Sequence, residues 1–140
     1  MPQLLMRDAF VTGIESIDAE HRVLIDRFNS LSEAVTNHEP HDLVDLALRA
    51  LIRETRKHFA NEERLLEEHD YRDIDAHRDE HVGLLHQVEQ YAARYRAGTL
   101  AMNQHMMALL KDWLSDHILV ADQAFAAQLT HLVTRDEEPG

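Results

Sequence analysis

The sequence contains no cysteine and has little glycine or proline. Four glycines and three prolines occur among its 140 residues. The absence of cysteine excludes disulfides, thiolate metal ligands, iron–sulfur clusters and cysteine nucleophiles. So few turn-forming residues also argue against an all-β fold, because such a fold needs many tight turns.

Long apolar runs and basic stripes are missing as well. The densest apolar stretch, Leu43 to Ile52, contains Asp45 and Arg49 and is too short and too polar to span a membrane. The first thirteen residues lack the features of a secretory signal, so we expect a cytoplasmic protein. The formal net charge is −12, and we expect neither nucleic acid nor an anionic membrane surface as a partner.

Four amphipathic segments separated by short breaks predict the fold. Their apolar residues recur at intervals of three and four, which is typical of helices with one buried face. We predict an all-α, antiparallel, up-down-up-down four-helix bundle in a single domain over residues 1–140. An N-terminal arm covers about residues 1–15, the bundle about 16–120, and a C-terminal segment about 121–140, with a short helix over Ala121 to Val133.

Local residue preferences predict where the helices begin and end. Ser16 and Asp18 are the candidate N-caps of the first helix, since their side chains can accept hydrogen bonds from backbone N–H groups. Gly98 is suited to end the third helix, and Thr99 to cap the fourth.

Polar residues occupy several positions of the apolar stripes, with at least one histidine in each segment. There are 11 histidines in all, and the polar residues at core positions are His21, His58, Glu62, His77, His81 and His117. Each buried polar group without a partner costs about 1–3 kcal/mol, against a net stability of about 5–15 kcal/mol for a whole domain. A bound metal ion would compensate this cost, and a hydrogen-bonded polar network is the alternative.

The spacing of these residues favours a metal site. His58 and Glu62, like His77 and His81, are four residues apart and therefore project from one face of a helix. Asp122 follows His117 by five residues, which on a straight helix separates the two side chains by about 140°. The two can face the same centre only if the helix bends, ends or contains a π-bulge between them.

Four segments, in this order along the chain, resemble the hemerythrin family in its bacterial single-domain form. They are GIESIDAEH at 13–21, HFANEE at 58–63, HRDEH at 77–81 and HILVAD at 117–122, within a resemblance that spans about residues 10–125. The resemblance implies a non-heme centre of two iron ions with an oxo or hydroxo bridge. One iron would be held by His77, His81 and His117 and the other by His21 and His58, with Glu62 and Asp122 bridging the two. Glu63 points about 100° away from Glu62 and is expected at the surface.

The same resemblance implies reversible binding of dioxygen, for storage, delivery or sensing. The iron with only two histidines has a vacant position, where dioxygen would be held as a hydroperoxide without a change in the net charge of the site. An apolar pocket would keep water away from this position, and its residues are Leu24, Phe59, Trp113, Leu114 and Ile118.

Two other functions use the same ligands. One is a diiron enzyme, namely an oxidase, a peroxidase or a nitric-oxide-processing protein, and the other is a redox or oxygen sensor that acts through a separate, unidentified protein. Carboxylate-rich diiron enzymes have four carboxylates and paired Glu-x-x-His motifs, whereas this sequence offers five histidines and two carboxylates. We therefore favour a non-enzymatic dioxygen-binding protein. The sequence makes no prediction of the oligomeric state.

Overall fold

The computed structural model describes residues 4–124 and 126–127. It contains four α-helices: α1 (Glu15–Thr36), α2 (His41–Glu68), α3 (Ile74–Arg96) and α4 (Gln104–Leu114). A 3-10 turn (Asp8–Phe10) precedes α1, and a π-helical segment (Ser115–Leu119) continues α4 directly. These described residues form no strand, so the all-α prediction is confirmed. None of their helices is both long enough and apolar enough to cross a bilayer.

Contacts between helix ends show that neighbouring helices run antiparallel. His41, at the start of α2, donates from Nε2 to the carbonyl of Tyr95 at the end of α3, over 2.9 Å. Gln104, at the start of α4, donates to the hydroxyl of Thr36 at the end of α1, over 3.4 Å. Together with the short connections, these contacts confirm the predicted four-helix bundle.

Three of the helices end in the same way. After α3, Gly98 adopts a φ of +81°, and the N–H of Thr99 reaches back to the carbonyl of Arg94, as predicted for a glycine terminator. His38 after α1 and Asp70 after α2 occupy the same position with a φ of 52°. These two side chains have a Cβ atom and therefore hold the left-handed conformation at a cost that Gly98 avoids.

The start of α1 differs from the prediction. Ser16 and Asp18 both lie inside the helix, and the residue that precedes it, Ile14, makes no side-chain cap. Asp18 instead accepts backbone N–H groups of the N-terminal arm, from Thr12 at 2.7 Å and from Gly13 at 3.2 Å. The buried carboxylate therefore holds the arm against the start of the bundle.

The fourth helix also differs from the prediction at both ends. Its cap is Asn103, whose side chain accepts the N–H of Met106, and not Thr99, which belongs to the end of α3. The described residues of the predicted C-terminal helix, 121–124 and 126–127, are helical as predicted, but they continue the π-helical segment and do not form a separate helix. Residues 128–133 lie outside the described residues.

Two apolar clusters divide the bundle interior along its length. The larger cluster fills the part built from the end of α1, the start of α2, the end of α3 and the start of α4. A smaller cluster surrounds Ile17 and Leu66 near the opposite end. The residues between the two clusters are polar, and they include His21, His58 and Glu62.

Candidate metal centre

Among the residues that the structure describes, two groups of potential metal ligands meet between the apolar clusters. The first group is His21, His58, Glu62 and Asp122, and none of the four is more than 2% exposed. The second group is Glu62, His77 and His81, in which His81 is buried and the side chain of His77 is 12% exposed. Within each group, one donor atom from each residue lies within 4.8 Å of the others. Glu62 belongs to both groups, so its carboxylate lies between two sets of imidazoles.

The imidazole Nε2 atoms all approach carboxylate oxygens. Nε2 of His58 lies 2.6 Å from Oδ2 of Asp122 and 2.8 Å from Oε2 of Glu62. Nε2 of His21 lies 2.8 Å from the same Asp122 oxygen, and Nε2 of His81 lies 3.2 Å from Oε1 of Glu62. Imidazole nitrogens and carboxylate oxygens from different helices therefore converge on the same small volume.

His58 is held from outside by a carboxylate that the sequence analysis did not identify. Its Nδ1–H donates to Oε1 of Glu20, over 2.7 Å, and Asn61 donates to the other oxygen of the same carboxylate. Because a carboxylate only accepts, this contact assigns the proton to Nδ1 of His58 and turns Nε2 inward. Glu20 comes from α1, so no spacing along α2 could have revealed it.

His81 and His21 are oriented in the same manner. The Nδ1–H of His81 donates to Oε2 of Glu63, over 2.9 Å, and the Nδ1–H of His21 donates to the backbone carbonyl of Phe10, also over 2.9 Å. Glu63 is partly exposed, as a surface position would be, but its carboxylate is turned towards α3. The rotation about α2 that separates Glu63 from Glu62 points it towards His81 of the neighbouring helix.

The π-helical segment sets which residues of the last helix face the centre. Inside it, the N–H of Val120 bonds to the carbonyl of Ser115, five residues back. Leu114, Ile118 and Asp122 are all buried at four-residue intervals, which places Asp122 in the first group. Of the three conditions under which the sequence allows His117 and Asp122 to face one centre, the structure shows a π-helical segment, which spans Ser115–Leu119.

His117 itself does not point into the layer. Its side chain is exposed and belongs to neither group of potential ligands, so the prediction that it faces the core is wrong in this structure. The reason is the inward register of the last helix, because Ile118 occupies the buried position that a straight helix would give to His117. Its role as a ligand stays a prediction, and it requires the imidazole to turn inward.

The electrostatics of the layer follow from the close approach of buried acids and imidazoles. Burial lowers the pKa of His58, but the charge of Glu62 and the contacts with Asp122 and Glu20 outweigh burial and raise the pKa well above its usual range. Burial raises the pKa of Glu62, but its contacts with Asp122 and His58 outweigh burial and lower the pKa well below its usual range. For Asp122, burial and the neighbouring charge of Glu62 raise the pKa to about 6. The two carboxyls therefore titrate apart, as coupled acids do.

Glu62 provides the test of whether these residues fit a metal. The residue is 0% exposed, and neither of its oxygens has a hydrogen bond of regular geometry among the described residues. A buried carboxylate in that position is costly unless a positive charge compensates it, and either a protonated His58 or a bound cation can supply that charge. Imidazole and carboxylate are the ligand types that suit iron, so the donor set fits a metal site.

The predicted pocket residues are all buried. Leu24, Phe59, Trp113, Leu114 and Ile118 are each at most 2% exposed and belong to the larger apolar cluster. The ring of Phe59 stacks on the imidazole of His81, with 3.7 Å between ring centroids. Apolar side chains therefore cover the polar layer on the side of the larger cluster.

Comparison with known proteins agrees with this arrangement. A family model described as the hemerythrin HHE cation binding domain matches residues 12–129. A bacteriohemerythrin from Stenotrophomonas maltophilia (strain R551-3) is 33% identical over 129 residues, which are 92% of this chain and 83% of that protein. One from Pseudomonas aeruginosa (strain LESB58) is 30% identical over 131 residues, 94% of this chain and 84% of that protein. The crystal structure of a wild-type hemerythrin superposes with a TM-score of 0.81 at 26% identity, covering 91% of this chain and 98% of that chain.

Proposed function

The chain belongs to the hemerythrin family, and from this premise we propose that its polar layer holds two iron ions and binds dioxygen reversibly. We assign one ion to His77, His81 and His117 and the other to His21 and His58. Glu62 and Asp122 would bridge the ions, together with a solvent-derived oxygen.

The observation that carries this proposal is the position of Glu62. Its two oxygens lie between imidazoles of both groups, with Nε2 of His58 at 2.8 Å on one side and Nε2 of His81 at 3.2 Å on the other. A carboxylate with this surrounding is suited to bridge two cations, one bound to each of its oxygens. Two ferrous ions would supply the electrons that dioxygen takes up reversibly.

The chain's own contribution to reversibility is the exclusion of water and protons. The only polar hydrogen among the pocket side chains is the indole N–H of Trp113, and it donates to the backbone carbonyl of Leu84 over 3.2 Å. This N–H is therefore already hydrogen-bonded within the protein. Diiron enzymes and the release of peroxide both require a proton donor near the bound oxygen. The pocket lining contains no acid that could be this donor. This supports a carrier over an oxidase or a peroxidase.

The test is anaerobic reconstitution of the full chain with ferrous iron, followed by repeated cycles of oxygenation and degassing. We expect two iron ions per chain, a charge-transfer colour that appears with oxygen and fades on degassing, and recovery of most of the ferrous protein. Glu62→Gln should lose the colour and at least one iron ion, whereas the matched change Glu67→Gln, at an exposed position of the same helix, should not. Stoichiometric peroxide without a recoverable coloured form would overturn the carrier proposal in favour of an oxidase or a redox sensor.

Storage, delivery and sensing share this binding step. The cytoplasmic location and a protein partner remain predictions from the sequence.

A further inference from the structure

An arginine-lined groove runs along the outer seam between α2 and α3. Its cavity has a volume of about 300 Å³, and none of the proposed metal ligands lines it. Four of its eight lining residues are arginines, namely Arg49, Arg53 and Arg56 of α2 and Arg96 of α3. The whole chain carries only 14 lysines and arginines against 26 acids, so the groove is a local concentration of positive charge on an acidic protein.

The helix geometry explains how the groove forms. The three arginines of α2 are spaced by four and three residues, so they share one face of the helix. Across the groove, α3 presents Ala92 and Ala93, whose small side chains leave the space open. Ile52 and Ala92 are at most 6% exposed and form an apolar floor.

The ends of the groove are neutralised by acids, but its middle is not. At one end Arg56 pairs with Glu89, and at the other Nε of Arg49 lies 3.1 Å from Oδ2 of the buried Asp45. Arg96 also lies near Asp45, with its Nε atom 3.7 Å from Oδ1 of that carboxylate. Arg53, between these ends, has no hydrogen-bond or ion-pair partner among the residues that the structure describes. Among the described residues, four guanidinium groups therefore share two carboxylates, those of Asp45 and Glu89.

We propose that this groove binds the phosphate monoester group of a small molecule, with Arg53 as its central contact. A phosphate monoester carries about −1.5 to −2 charges at neutral pH, which matches the excess of two positive charges in the groove. The planar, forked guanidinium group binds phosphate oxygens in pairs, and the apolar floor is suited to the uncharged part of the ligand. The volume lies at the lower end of the range of small-molecule pockets.

The first experiment compares phenyl phosphate with phenyl sulfate by calorimetric titration of the iron-loaded full chain. The two probes have the same shape, but the sulfate ester carries a single charge. We expect saturable binding of one phenyl phosphate per chain, and binding of phenyl sulfate weaker by about tenfold or more. Equal binding of the two probes, or no saturable binding of phenyl phosphate, would overturn the proposal.

The second experiment tests Arg53 with a matched control on α3. Arg53→Gln should weaken phenyl phosphate binding by about tenfold or more, since it removes a charge-assisted contact, and Arg53→Lys should weaken it less. Arg94→Gln removes the same charge from an exposed position that does not line the groove, and should change the affinity less than about twofold. Equal losses in Arg53→Gln and Arg94→Gln would mean non-specific attraction and would overturn the proposal.

A third variant closes the site without removing an arginine. Ala93→Glu places a carboxylate in the groove at an exposed helical position that tolerates glutamate, so the helical circular dichroism should not change. We expect this variant to lose phenyl phosphate binding while it still binds iron and dioxygen. Unchanged phenyl phosphate affinity in this folded variant would show that the groove is not the binding site.

Discussion

Replacing Glu20 by glutamine isolates the influence of an outer carboxylate on the proposed metal site. The carboxylate accepts two donors, Nδ1–H of His58 through one oxygen and the amide of Asn61 through the other. A glutamine side chain has the same shape but only one acceptor oxygen and no charge. In Glu20→Gln, either His58 or Asn61 therefore loses its acceptor, and the remaining contact is no longer charge-assisted.

The structure sets the expected size of the effect. His58 is 1% exposed, and a buried donor left without an acceptor costs about 1–3 kcal/mol. A cavity of about 250 Å³ borders both His58 and Glu20, so water can offset part of this cost. The side chain of Glu20 is 24% exposed, which places its electrostatic contribution at the lower end of the usual range. Loss of an outer partner of a metal-bound imidazole typically reduces metal affinity by about 10- to 100-fold. We expect Glu20→Gln to weaken metal binding by about tenfold, which corresponds to about 1.4 kcal/mol.

The assay is competition for ferrous iron, without oxygen, between the protein and a chelator of known affinity. The control is Asp26→Asn, which removes the same charge from an exposed position of α1 that contacts none of the proposed ligands. We expect less than about a twofold change in this control. If Glu20→Gln also changes the affinity by less than twofold, or if both variants lose the same factor, then Glu20 does not support the site through His58.

Three further predictions concern stability and oxidation. Removing the metal with a chelator should lower the melting temperature by about 10 °C, because a cation that binds only the folded state stabilises it, and an unchanged melting temperature would contradict a metal in the layer. Without metal, the raised pKa values of His58 and His81 contribute stability that is complete below about pH 6.5 and is lost as the pH rises. Urea denaturation of the metal-free protein should therefore show lower stability at pH 8 than at pH 6.5. A metal-free protein that gains stability over this interval would contradict the charge arrangement. Leu114→Ala, at a fully buried position, should cost about 2–5 kcal/mol and speed autoxidation, followed by the decay of the coloured form. Leu109→Ala, at a 40% exposed position of the same helix, is its control, and equal autoxidation rates in the two variants would show that Leu114 does not exclude water.

The helices and most of the centre follow from local periodicity. An α-helix repeats every 3.6 residues, so a polar residue within an apolar stripe must face the core wherever the helix packs. This reasoning placed His21, His58, Glu62 and His81 correctly, and all four are at most 4% exposed. It also showed that Asp122, five residues after His117, can share its face only where the helix is irregular, for example where it contains an extra residue.

The same rule failed at His117, because it assumed a regular α-helix up to that residue, whereas the π-helical segment begins at Ser115. A π-helical turn contains an extra residue and therefore changes which of the following residues face the core. The position of this turn along the helix decides whether His117 or Asp122 points inward. Packing of Leu114 and Ile118 against the larger cluster decides this in favour of Asp122. That choice depends on the neighbouring helices and cannot be obtained from one helix alone.

Contacts that cross between helices were decided only by the tertiary structure. Glu20 meets His58 across the α1–α2 interface, and Glu63 meets His81 across the α2–α3 interface. The arginine groove likewise needs Arg96 of α3 beside the arginine face of α2. Helical periodicity gives the direction of each side chain relative to the axis of its own helix. The rotation and sliding of one helix against the next are set by the packing of both apolar faces. Only that packing determines which side chains of two helices meet.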